Sequence, residues 1–280
     1  MELKNKLKKT LRNSIRLKAE GKARTVIGAT RFGGKPDLPD EFEWCRYERK
    51  NCEGGIKNRP LSFIAQFNLE EISKYDTEKL LPQKGLLSFF YDADIIERGF
   101  DPNDSGCEKV FWFGDINRLK PAEFPSDLEE DFRYPPIGVL ANSEDSYQDY
   151  PDFLLQKDKL TECWDDYDRA AKGLKINTPD NSSKLLGWAD IIRGNMTVGC
   201  ELAYRGYSPG DGWNEATPRD KQEAVQSSLK EWLLLFQMDT VENGGFKLMF
   251  GDCGRIYYYI RKEDLSAKRF DRVRLIMQCR

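Results

Sequence analysis

Histidine is absent from this chain of 280 residues. Ser-His-Asp and Cys-His catalytic arrangements, His-ligated zinc and an imidazole general base are thereby excluded. No Cys-x-x-Cys pair occurs among the cysteines at positions 45, 52, 107, 163, 200, 253 and 279, so thioredoxin-like and zinc-ribbon sites are missing too. Gly33-Gly34 has neither G-x-x-x-x-G-K-[ST] nor G-x-G-x-x-G around it, and reads as a tight turn needing positive φ. Long apolar runs are also lacking. The longest, such as Trp232 to Phe236, fall far short of the ~20 residues that cross a bilayer. The N-terminus has no apolar signal stretch. Asn181-Ser-Ser and Asn195-Met-Thr match the glycosylation pattern but lack that secretory context. Dispersed cysteines, odd in number, predict a cytoplasmic protein without stable membrane insertion.

Aromatic residues are plentiful, with 16 Phe, 12 Tyr and 6 Trp, which argues against a disordered chain. The length suffices to bury a core. A net charge of −3 conceals an asymmetry. Residues 1–24 hold nine basic side chains against Glu2 and Glu20, so the remaining body is acidic. Such a body is a poor partner for nucleic acid. Leu3, Leu7, Leu11 and Ile15 recur every four residues, which predicts a basic amphipathic helix over residues 1–25. Its apolar stripe either docks on the acidic body or meets a membrane surface or a partner.

Gly-Gly and two prolines predict that Arg31 to Pro39 forms turns without regular structure. Apolar runs at Leu61–Phe67, Leu86–Tyr91 and Val110–Phe113 read as strands. Asn68 caps a helix between the first two, which Pro82 and Gly85 end. Pro121 to Pro136 reads as a surface loop. Residues 150–183 form a connector with a helical stretch from Asp158 to Leu174. The acidic aromatic run Cys163 to Asp168 reads as a solvated helix face. Thr217-Pro218 opens a helix, and Trp232–Met238, Arg255–Ile260 and Val273–Met277 are strand-like.

The order of these pieces repeats. Gly34 and Asp37 return as Gly187 and Asp190, Phe63–Gln66 as Leu234–Gln237, and Gly85 before an aromatic strand as Gly254 before another. One domain is therefore expected, with a first half over 26–149 and a second over 184–280. Without strand–helix–strand alternation, the fold class is α+β with mostly antiparallel sheets, the two pseudo-repeated halves sharing one core.

Arg31 to Pro39 followed by Trp44, Phe63-Ile-Ala-Gln66 and Leu81 to Asp92 resemble the YwqG-like proteins, a bacterial-type family of unknown function. Lys184 to Asp190, Leu234 to Asp239, Gly251 to Gly254 and Glu263-Asp-Leu265 agree with that resemblance, which runs from about Ala29 to Cys279. It implies an α+β protein without established catalytic residues. Where family members often carry a Trp-Gly pair, this chain has Glu97-Arg-Gly-Phe100. The resemblance also implies association with secreted-toxin clusters, and hence an immunity-like or regulatory partner.

Gln66 and Gln237 stand out, because an amide in an apolar strand must find hydrogen bonds or cost ~1–3 kcal/mol. Either each satisfies a neighbouring turn, or the two line one groove between the halves. Arg31, Asp37, Asp190, Asp239 and Asp252 complete that candidate groove, Asp239 sharing a strand face with Gln237. Converging carboxylates there would bind a hard metal such as Mg²⁺ or act as acid and base. Asp101 to Gly106 begins like a calcium loop, but Trp112 stands where the bidentate Glu belongs, and an Asx-type turn is the better reading. The thiols, Cys45 and Cys253 included, show no activating neighbour. No cofactor motif is present and no metal site is assigned. The leading expectation is a non-enzymatic module binding a small ligand or a protein partner in the groove. A carboxylate-based enzyme is the alternative.

Overall fold

A computed structural model describes residues 1–50, 56–94, 99, 106–176, 183–208, 211–243 and 245–280. Chain order begins α1 (Glu2–Lys9), β1 (Arg12–Lys22), β2 (Arg31–Phe32), β3 (Asp37–Pro39), β4 (Arg46–Lys50), β5 (Ile56–Pro60), β6 (Ser62–Asn68) and α2 (Leu69–Ile72). It continues with β7 (Leu86–Tyr91), β8 (Glu108–Phe113), β9 (Leu119–Pro121), β10 (Ile137–Ser146), α3 (Tyr150–Phe153), α4 (Trp164–Lys172) and β11 (Ser183–Leu186). The rest comprises α5 (Thr197–Tyr204), α6 (Gly212–Glu215), α7 (Pro218–Glu231), β12 (Trp232–Asp239), β13 (Val241–Asn243), β14 (Phe246–Leu248), β15 (Arg255–Arg261), α8 (Lys262–Ser266) and β16 (Arg274–Gln278). The architecture is α+β, as expected.

Ten strands make one antiparallel sheet in the order β16-β15-β12-β11-β1-β10-β2-β6-β7-β8. The order is symmetric about the β1–β10 pair. Each of those central strands also pairs outward with its own flank: β1 with β11, and β10 with β2. The two flanks of the sheet turn apolar faces toward each other. Phe89 meets Phe236 with ring centroids 4.7 Å apart and Tyr258 at 5.1 Å. The Tyr258 hydroxyl donates to the Phe90 carbonyl (3.2 Å), giving a buried phenol its partner. Asn68 caps α2 by accepting from the Glu70 N–H, and Thr217 caps α7 by accepting from the Asp220 N–H.

The N-terminal segment departs from expectation. Helix α1 ends at Lys9, and Arg12–Lys22 is a strand, not the continuation of a helix to residue 25. A spacing of four residues fits both a helical face and the alternation of a strand, so the stripe splits. Leu7 packs from the helix against Phe153, Tyr167 and Ala171, whereas Ile15 and Leu17 alternate from the strand into the main core. The helix therefore docks on α4. Leu7→Ala is expected to lower stability by about 2 kcal/mol, since Leu7 is fully buried. Urea denaturation measures it.

Two further expectations need correction. Arg31 to Pro39 holds two short strands, β2 and β3, around its glycine turn. Residues 137–146, for which the sequence suggested no element, form the central strand β10. Residues 101–105 of the stretch read as an Asx-type turn, most of Glu97 to Phe100, and Asn177 to Asn181 lie outside the described residues.

Candidate functional site

The two glutamines sit in matching constellations. Gln66 Oε1 accepts from the Asp37 N–H (3.0 Å), while Nε2 donates to Asp37 Oδ2 (2.6 Å) and the Ala29 carbonyl (3.0 Å). Arg31, across the strand from Gln66, places Nη1 3.0 Å from the same Oδ2. In the second flank, Gln237 Oε1 accepts from the Asp190 N–H (2.9 Å) and Nε2 donates to Asp190 Oδ2 (2.8 Å). Lys184, across from Gln237, lies 2.7 Å from that oxygen. Between cation and aspartate each segment makes a left-handed turn: Gly33 and Gly34 have φ of 59° and 77°, Leu186 and Gly187 of 60° and 75°. A Cβ on Gly187 would lie 2.5 Å from Ser14 Cβ, which explains the glycine there. Both amides thus pin the turn that follows a strand.

These pins do not share a groove. Phe67 and Phe236 point into the common core with centroids 5.1 Å apart, so the adjacent Gln66 and Gln237 point to the opposite faces. Strands β2, β10, β1 and β11 lie between them in the sheet. Asp239 does join the second constellation's surroundings: Arg255 Nε pairs with its Oδ2 (2.7 Å), and Arg255 Nη1 and the Tyr257 hydroxyl donate to the Asp190 carbonyl (3.0 and 2.8 Å). Asp252 is exposed on a turn, and among the described residues its carbonyl accepts from the Arg280 N–H (3.3 Å). Among the described residues no three His, Cys, Asp or Glu side chains gather as a metal site. Burial pushes the thiols of Cys45 and Cys200 up to about 12, the opposite of nucleophilic activation.

Sequence reasoning missed a different place. Arg12, at the start of β1, lies flat over the Trp188 ring, its guanidinium carbon 3.5 Å from the centroid. One N–H, from Nη2, donates to the Leu229 carbonyl at the end of α7 (3.0 Å). Among the described residues Arg12 has no ion-pair partner, and burial pulls its guanidinium down to about 10. Asp152 and Glu78 act on it only through their more distant charge. The Trp188 indole N–H donates to the Thr10 carbonyl (2.7 Å), which fixes the ring. Behind Arg12, the Asp152 carboxyl is pushed up to about 7 by burial and accepts from Asn195 Nδ2 (2.6 Å). Asn195 Oδ1 accepts from the Val198 N–H at the start of α5, so this asparagine is occupied structurally.

Arg12 and Trp188 help to line a cavity of about 580 Å³, of ligand size. Its walls come from the α1–β1 joint, the segment after α3, and α7. Lys9, Arg12, Lys157 and Lys230 line it against one carboxylate, Asp158. Two other depressions carry nearly balanced charge: one of about 450 Å³ has Glu108, Asp264 and Asp271 against Lys109, Arg272 and Arg274. The other, of about 710 Å³, has Asp40, Glu41 and Asp115 against Arg118 and Lys120. In an acidic chain, the 580 Å³ cavity is the cationic one. Trp188, inside the repeated Gly187–Asp190 motif, was its one sequence-level signal.

An antiparallel α+β sheet with mirrored turn motifs defines the class. The chain belongs to the family described as Domain of unknown function (DUF1963), whose model matches residues 30–279. No curated protein matches the chain. No helix among the described residues is long and apolar enough to cross a membrane.

Proposed function

We propose that this protein is a binding module whose ligand is a small anion held in the cavity at Arg12. The observation that carries this reading is the Arg12 guanidinium: half-buried on the Trp188 ring, without an ion-pair partner among the described residues, and lining a cavity with three more cations. A partly desolvated charge without a partner carries a cost, and an anionic ligand offsets it. Guanidinium geometry also suits carboxylate or phosphate oxygens. The carboxylate-enzyme alternative loses ground, because Asp37, Asp239 and Asp252 occupy separate places. In this reading the repeated cation–Gln–Asp constellations are structural pins of a duplicated domain. The quoted motifs support a YwqG-like placement within the family, and the free thiols at Cys45, Cys163, Cys200, Cys253 and Cys279 support a reducing, cytoplasmic setting.

A thermal-shift screen with inorganic phosphate, citrate and aliphatic carboxylates tests the proposal. An anion at 100 times its Kd is expected to raise Tm by roughly 5–10 °C. Arg12→Gln should abolish that shift and Arg12→Lys should restore part of it. Equal shifts in wild type and Arg12→Gln would refute the assignment.

A further inference from the structure

The cavity is layered. Its floor is the Arg12–Trp188 stack, with Gln148 almost fully buried beside it. Half-buried aliphatic side chains, Leu11, Leu155, Val225 and Leu229, form the walls. Lys9, Lys157 and Lys230 are exposed and form the rim together with Asp158, whose carboxylate Lys6 neutralises (2.7 Å). A compact polyanion on the floor would strip its hydration against aliphatic walls that give nothing back. A simple fatty carboxylate would fill floor and walls but bring no charge to the three ammonium groups of the rim.

Resting on the anion-site reading above, we infer that the ligand is an elongated dianion: one anionic group on Arg12, an apolar body along the aliphatic walls, and a second anionic group at the lysine rim. Aliphatic α,ω-dicarboxylates are the simplest members of this class. Burial of each methylene contributes ~0.8 kcal/mol, about fourfold in affinity, until the wall is filled.

Isothermal titration of the full chain with succinate, adipate, suberate and sebacate, with octanoate, decanoate and citrate as comparisons, tests the inference. Affinity is expected to rise about fourfold per methylene along the dicarboxylate series. Sebacate should bind at least tenfold more tightly than decanoate. Lys157→Glu with Lys230→Glu, both at exposed positions, should bring sebacate down to the level of decanoate while changing decanoate less than threefold. Equal binding of sebacate and decanoate overturns the second anionic subsite and leaves the Arg12 site standing. Citrate binding as tightly as sebacate overturns the apolar body and likewise spares Arg12. Absence of binding by every anion at millimolar concentration overturns both readings.

Discussion

Asp37→Ala is expected to destabilise the protein by about 3–5 kcal/mol, the range for removing one partner of a buried ion pair. Asp37 Oδ2 takes the Arg31 guanidinium, the Gln66 amide (2.6 Å) and the Gly28 N–H (2.8 Å). Side chains of Arg31 and Asp37 are 7% and 2% exposed, so water cannot replace the lost acceptor. Gln66 keeps the Ala29 carbonyl, but Arg31 is left with carbonyls alone. The matching change Asp190→Ala should cost less, about 2–3 kcal/mol: Lys184 is 4% exposed but retains the Trp188 carbonyl (3.0 Å), and water reaches the place of Asp190, itself 30% exposed. Urea unfolding of both variants measures the difference. Equal losses would mean that burial does not set the strength of these pins.

How much of this was legible depended on how each residue is surrounded. Strands β6, β7, β12 and β15 are buried on both faces, so they read as continuous apolar runs. The central strands β1 and β10 were not legible. In β10 the buried residues stand at the ends, Ile137 and Ser146, with Asn142, Ser143 and Asp145 exposed between them. In β1 the leucine spacing suits a helix equally well. Gln66 and Gln237 announced their pinning role by being amides in apolar strands. Which faces they occupy could not be read, because that follows from which flank packs on which. The Arg12 cavity is assembled from three distant segments, none of which has a pattern of its own.

Stability should fall as pH rises from 5.5 to 8. Desolvation pushes two carboxyls up to about 7: Asp152, buried beside Asp149, and Glu108, half-buried at the edge of the 450 Å³ depression, where the Cys107 thiol opposes the rise. In the unfolded chain they ionise near 4. Each therefore binds its proton more tightly when folded. Their stabilising contribution is complete below the ordinary carboxylate range and is lost as pH climbs through about 7. Over the window from 5.5 to 8 each group is expected to account for about 2 kcal/mol. Asp152→Asn isolates one of them. Its amide oxygen can still accept from Asn195, and it carries no charge to desolvate. The variant's stability relative to wild type should rise by about 2 kcal/mol between pH 5.5 and pH 8. Urea midpoints at the two pH values decide the matter: a wild type equally stable at both, or a variant that gains nothing on it between them, would show that Arg12 already compensates the Asp152 charge. The same proton links to ligand binding. A neutral Asp152 leaves Arg12 with a more positive field, so anion affinity should rise as pH drops below 7, and Asp152→Asn should hold the higher affinity at both pH values.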